Sequence, residues 1–181
     1  MTSEKTVIQD SIRQVKKIYQ KISVLIETAD GLMSKSKWGP NGSAVVYESS
    51  ATYYLPDRWL PSVLTREYRN KDSINTVLLM AILLDHDDIE EPLIIGTLMS
   101  VKGHSEEFPW TDNSDRYYWF LKKANLDAVD AVIEIDNPKD IYEKEPRDLD
   151  RISIFATPLL EITNSDQLRD KFVSKLLALT Q

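Results

Sequence analysis

The chain has 181 residues, of which 42% are hydrophobic and 28% are charged, as in a folded globular protein rather than a disordered one. It has no cysteine, which excludes disulfides, thiolate metal sites and cysteine catalysis. No apolar run has the length of a membrane-spanning helix, and the amino terminus does not resemble a secretion signal. We therefore expect a single soluble, cytoplasmic α+β domain covering residues 1–181.

The charge of the chain is unevenly distributed. The formal net charge is −7, yet seven basic and four acidic residues occur up to Lys37, so the remainder is strongly acidic. An acidic surface repels the phosphates of a nucleic acid. We expect neither nucleic acid nor a membrane as the main partner. The basic amino-terminal segment is the part suited to an anionic partner.

That segment predicts a long amphipathic helix over residues 6–30. Apolar side chains recur there at alternating intervals of four and three residues, which places them on one face of a helix. Thr6 with Gln9 fits a capping box at the start, and Gly31 fits the left-handed residue beyond the end. The apolar positions are Ile8, Ile12, Val15, Tyr19, Ile22, Ile26 and Ala29.

Two interpretations of this helix differ in what covers its apolar face. Ile18 and Leu25 make the face wider than a coiled-coil seam, and β-branched residues occupy positions where a parallel dimer prefers leucine. This favours packing against the protein's own sheet, and a helix-mediated homodimer is the alternative. The opposite face is basic, and we predict that a partner binds there at Arg13, Lys17 and Lys21.

The middle of the chain predicts a sheet. Residues 76–84 and 93–101 are apolar on both faces, which is typical of central strands that are covered on both sides. The charged residues 85–92 between them predict a hairpin. Further strands are predicted from β-branched and apolar runs at residues 44–48, 51–55, 131–135 and 152–160.

Three further helices complete the predicted fold. Leu64 and Tyr68 share one helical face after Pro61, which predicts a short helix over residues 61–68. A second is predicted over residues 114–125, and a third over residues 164–180, where Asn164 and Gln167 fit a capping box. The predicted class is α+β, with a mostly antiparallel central sheet of about five strands packed by a long amino-terminal and a carboxy-terminal helix.

An acidic cluster in the predicted hairpin turn is the candidate metal site. Asp85, Asp87 and Asp88 could supply oxygen ligands to a divalent cation, but the turn lacks the glycine and glutamate spacing of a calcium-binding loop. We favour a solvated turn, and a divalent-metal enzyme is a third hypothesis. His86 and His104 would lie roughly 30 Å apart along the hairpin, too far to share a zinc ion.

Aromatic residues form the candidate ligand site. They cluster at residues 53–59 and 108–120, and flat apolar rings with polar edges suit a pocket or an interface. Core packing is the favoured interpretation. The alternative is a small-ligand-binding domain or enzyme, with Glu48 or Asp57 for acid–base chemistry. Its pocket residues would be Trp59, Trp110, Tyr117 and Tyr118.

The sequence has little recognisable catalytic equipment. It contains neither a glycine-rich phosphate loop nor the G-x-S-x-G motif of a serine nucleophile. We therefore expect a non-catalytic binding or regulatory protein that acts through protein contacts or self-association, without a cofactor. Whether the protein is an enzyme is left open by these observations.

Overall fold

The computed structural model of the chain describes residues 4–42, 46–47, 63–84, 89–101, 131–136 and 149–181. Within these ranges a long helix and a carboxy-terminal helical segment pack on an antiparallel sheet. Five strands have four or more residues, and two short strands add to one edge. The predicted α+β class is confirmed.

Every strand pair in the described part of the sheet is antiparallel. The strand order is β1-β3-β4-β5-β7-β6, and β2 also pairs with β3. The strands are β1 (Gly39–Pro40), β2 (Val46–Tyr47), β3 (Val63–Arg69), β4 (Thr76–Leu83), β5 (Leu93–Val101), β6 (Ile133–Asp136) and β7 (Leu149–Pro158).

Strands β4 and β5 form the predicted central hairpin. Their register runs from the pair Thr76–Ser100 to the pair Leu83–Leu93. Alternate residues of β4 enter two separate apolar clusters, one on each face of the sheet, and all of them except Thr76 are buried. The continuous apolar runs therefore identified strands covered on both sides, as predicted.

The predicted helix over residues 61–68 is wrong, because Val63–Arg69 is strand β3. The predicted helix rested on an interval of four residues, which places side chains on one face of a helix and equally on one face of a strand. Pairing of β3 with β4 along its whole length decides for the strand.

The first helix, α1, spans Glu4–Lys35 and is longer than predicted at both ends. It continues through Gly31 because Met33, four residues after Ala29, extends the buried face. Lys37 instead takes the left-handed conformation, with φ 68°. Trp38 N donates to Met33 O at 3.1 Å and Lys37 N to Ser34 O at 3.1 Å, which is a Schellman ending.

The carboxy-terminal helical segment, α2, follows a 3₁₀ turn at Leu159–Glu161. It consists of Ser165–Gln167, a π-helical part at Leu168–Val173 and Ser174–Ala178. Asn164 caps it as predicted, since its Oδ1 accepts from Gln167 N at 2.9 Å. Gln167 Oε1 in turn accepts from Thr163 N at 2.8 Å, one residue before the predicted partner.

The remaining predicted elements fall into two groups. The strand predicted at residues 44–48 is the shorter β2, that at 131–135 corresponds to β6, and that at 152–160 to β7, which ends at Pro158. The strand predicted at residues 51–55 and the helix predicted at 114–125 lie outside the described residues.

Candidate functional site on the first helix

The predicted ligand and metal sites lie outside the described residues. This holds for the pocket aromatics, for both acid–base candidates, for both histidines and for the acidic turn. The residues concerned are Trp59, Trp110, Tyr117, Tyr118, Glu48, Asp57, His86, His104, Asp85, Asp87 and Asp88. Their roles therefore stay predictions.

The apolar face of α1 is divided into a buried and an exposed half. Ile22 and Ile26 are only 5% and 8% exposed, and they pack with Met33 against the sheet face that also receives α2. In the first half, the same apolar pattern meets solvent: Ile8 is 59% exposed and Ile12 is 52% exposed. The prediction that the whole face packs on the protein's own sheet is thus correct only for the second half.

The first half forms a continuous apolar surface, which we call the apolar stripe, and its last residue, Tyr19, packs at the margin of the protein's own core. From Ile8 to Tyr19 it is about 16 Å long, or three helical turns. Val15 and Tyr19 are half-buried and mark the transition to the packed half, where desolvation raises the pKa of the Tyr19 phenol. The apolar stripe consists of Ile8, Ile12, Val15, Ile18 and Tyr19.

The basic residues predicted to bind a partner lie on the outer side of the same helix. Arg13, Lys17 and Lys21 are all exposed. Arg13 Nη1 is 2.9 Å from Asp10 Oδ1, one helical turn away. Lys17 and Lys21 form no ion pair with any residue that the structure describes. The first half of α1 therefore presents an apolar stripe and a basic outer face together.

A partly buried ion pair holds the second half of α1 on the sheet. Arg66 of β3 points to the helix-covered face and is only 6% exposed. Its Nη2 and Nε donate to the Asp30 carboxylate at 2.6 Å and 3.1 Å, a two-pronged contact that fixes direction as well as distance. Hydrogen bonding to Asp30 raises the pKa of Arg66.

Tyr68 completes this cluster on the same face of β3. Its phenol is buried, and burial is the main cause that raises the pKa of Tyr68, with the Asp30 carboxylate adding to it. The sequence pattern did not predict this cluster. A sequence signal for it was present. Arg66 alternates along the strand with the apolar Leu64 and Tyr68, and Asp30 directly follows Ala29 of the apolar face of α1. The cluster holds α1 on the sheet, and its Arg66 and Tyr68 side chains are both buried beneath the helix-covered face.

No group of three or more histidine, aspartate or glutamate side chains in the part of the chain that the structure describes is arranged to hold a metal ion. No helix in the described ranges combines the length and apolarity needed to cross a membrane. Comparisons with protein-family models, with curated proteins and with solved structures found no match to this chain.

Proposed function

We propose that the protein is a non-catalytic binding or regulatory protein that docks a protein partner on the apolar stripe of α1. The observation that carries this proposal is the exposure of Ile8 and Ile12, at 59% and 52%, on the same helical face that is buried further along. A single exposed apolar residue is ordinary, whereas a row of them over three turns is typical of an interaction site.

The composition of the stripe supports a bound partner. Ile8, Ile12, Val15 and Ile18 are β-branched, and such residues favour a helix less than alanine or leucine does. A helix with this composition gains most of its stability from packing rather than from intrinsic propensity. A partner on the stripe would supply that packing where the protein's own sheet does not.

The basic outer face is the second part of the proposed site. Arg13, Lys17 and Lys21 lie on the opposite side of the helix and would stay in water when a partner covers the stripe, so their charges would influence the association rate and the choice of partner more than affinity. The alternatives with an aromatic pocket or an acidic metal site remain predictions that concern other parts of the chain.

Site-specific photo-crosslinking tests the proposal. Benzoylphenylalanine is placed at position 12 on the stripe, at position 17 on the basic face, or at position 71 in the exposed turn between β3 and β4. The protein is irradiated in the cells that naturally make it, and the adducts are identified by mass spectrometry. We expect a defined adduct from position 12, a weaker one from position 17 and background from position 71.

The position-71 variant is the matched control, because Lys71 is exposed in the turn between β3 and β4 and does not belong to α1. An adduct yield at position 12 no higher than at position 71 would contradict the proposal. A strong adduct at position 17 with background at position 12 would move the docking site to the basic face.

A further inference from the structure

We propose that the partner on the apolar stripe is a second copy of this chain, bound through antiparallel pairing of the first halves of the two α1 helices. This inference rests on the proposed function and names its partner. The pairing would be symmetric about a two-fold axis that passes between residues 13 and 14, as in a closed dimer in which both copies use the same surface.

The stripe is complementary to itself in this register. Ile8 of one copy lies opposite Tyr19 of the other, and Ile12 lies opposite Val15. Beside this seam, the small Ser11 lies opposite the larger Ile18, which lets the two helices approach closely. The alternating intervals of four and three that continue into the buried half are those of helices that pack side by side.

The position of the sheet selects the antiparallel direction. The second half of the seam, Ile22 to Met33, is already covered by the protein's own sheet and α2. If the two helices were parallel, both sheets would lie at the same end of the pair. The second half of each α1 would then have to pair where it is already covered by its own sheet. Antiparallel helices overlap only along residues 6–21, so the two sheets lie at opposite ends of the helix pair.

The charges of the helix agree with a second copy at the stripe. Asp10, Arg13, Lys17 and Lys21 lie on the side away from the seam, so pairing leaves them in water. Lys16 is the one basic residue that borders the seam within residues 6–21, and in this register it lies near the neutral Gln9 of the other copy. No like charges are therefore buried, which would otherwise oppose the dimer.

The size of the contact predicts a weak dimer. Two helices that overlap along about 23 Å and are about 10 Å wide bury roughly 500 Å² in total if a third of each surface is covered. Stable complexes bury at least about 1,200 Å². The dimer is therefore expected to form in the range of tens to hundreds of micromolar, as transient complexes do.

Sedimentation velocity from about 10 µM to about 1 mM tests the dimer directly over this range. We expect the wild type to shift from monomer to dimer, Ile12→Asp to remain monomeric at every concentration, and Val24→Asp to dimerise like the wild type. Val24 is the matched control because it lies on the same helix, is 61% exposed and points away from the seam. A wild type that stays monomeric, or an Ile12→Asp variant that dimerises, overturns the inference.

Disulfide formation tests the direction of the helices, since the natural chain contains no cysteine. Single variants Ile8→Cys and Tyr19→Cys are oxidised separately and as a mixture. Antiparallel pairing predicts that the mixed disulfide forms at least tenfold faster than either homodimer, because only that pair brings two sulfurs into bonding range. Faster homodimer formation by both single variants overturns the antiparallel arrangement.

These results are distinguishable from failure of the proposed function. If the wild type is monomeric at about 1 mM while position 12 still gives a defined adduct to another protein, the second copy is excluded and the docking site stands. If position 12 gives no adduct and the wild type is monomeric, both are excluded.

Discussion

Gly96 illustrates how closely the covered face of the sheet is packed. It lies in β5, and a Cβ atom at this position would overlap the ring of Phe155 and lie 3.2 Å from Leu176 Cδ1. The Phe155 ring cannot yield easily, because it is 2% exposed and packs against Phe172 with ring centroids 5.5 Å apart. The absence of a side chain at position 96 is therefore what lets α2 lie on the sheet.

Replacing Gly96 by alanine tests this packing. We expect Gly96→Ala to lower the free energy of unfolding by about 1–3 kcal/mol, the usual cost of an added methyl group in a filled core. Gly31→Ala is the control, because Gly31 lies in the interior of α1 with open space around it. There alanine should stabilise by about 0.5–1 kcal/mol. Urea unfolding measures both changes, and equal effects would contradict the packing argument.

Tyr68 predicts how stability changes at alkaline pH. Burial and the Asp30 carboxylate raise the pKa of Tyr68 far above the usual value of about 10. The folded protein keeps the phenol protonated where the unfolded chain ionises, so this contribution is complete below about pH 10 and is lost as the pH rises further. Between pH 9 and 11 we expect the wild type to lose about 1.4 kcal/mol more than Tyr68→Phe.

Urea unfolding of both proteins at the two pH values measures this difference. The comparison is made within each protein, so any change in stability that Tyr68→Phe causes at pH 9 cancels. Losses that are equal in the two proteins would show that the Tyr68 phenol ionises in the folded state as readily as in the unfolded one.

At the scale of the element, α1 is one helix with two environments, and the same substitution should have two different effects. Ile26→Ala removes a side chain that is 8% exposed and should cost about 2–4 kcal/mol of stability. Ile12→Ala removes one that is 52% exposed and should change the stability of the monomer by less than about 0.5 kcal/mol.

These stabilities are measured at about 1 µM, well below the concentration at which a weak dimer forms. A cost for Ile12→Ala close to that of Ile26→Ala would mean that the first half of α1 packs on its own monomer. The proposed docking site would then not be available to a partner.

Elements with a strong local pattern were predictable from the sequence. The seam of α1, the continuous apolar runs of β4 and β5, and the Asn164 cap of α2 each reflect short-range chemistry that needs no tertiary information. The helix predicted in place of β3 failed because an interval of four residues does not separate a helix from a strand. The end of α1 was placed too early because the gain from burying Met33 exceeds the cost of Gly31 within the helix.

At the scale of the whole molecule, the candidate site was predictable only in part. The sequence placed the basic residues on the outer face of α1, and the structure shows all three exposed there, on the side opposite the apolar stripe. Periodicity identifies which residues share a face but not what covers that face, so the division at Tyr19 between exposed and buried halves could not be derived. The Arg66–Asp30 contact joins residues 36 positions apart and depends on the tertiary fold.

The charge of the whole molecule gives the last prediction, which concerns salt. Each chain carries a formal net charge of −7, and the two paired helices would carry basic residues on both outer faces. Repulsion between the two acidic chains and repulsion between the two basic helices therefore both oppose the dimer. Burial of the apolar seam, in contrast, is insensitive to moderate salt. Because salt shortens the range of repulsion from about 30 Å at 0.01 M to about 8 Å at 0.15 M, self-association should strengthen severalfold over this range.

Sedimentation at the two ionic strengths measures this dependence, with Lys16→Gln and Lys71→Gln as a matched pair. Each variant removes one positive charge, but only Lys16 borders the seam, so only Lys16→Gln should dimerise more tightly at low salt and respond less to added salt. Self-association that weakens as salt rises would indicate attraction between the basic helix of one copy and the acidic body of the other. The helix-to-helix arrangement would then have to be replaced by one in which α1 docks on the partner's body.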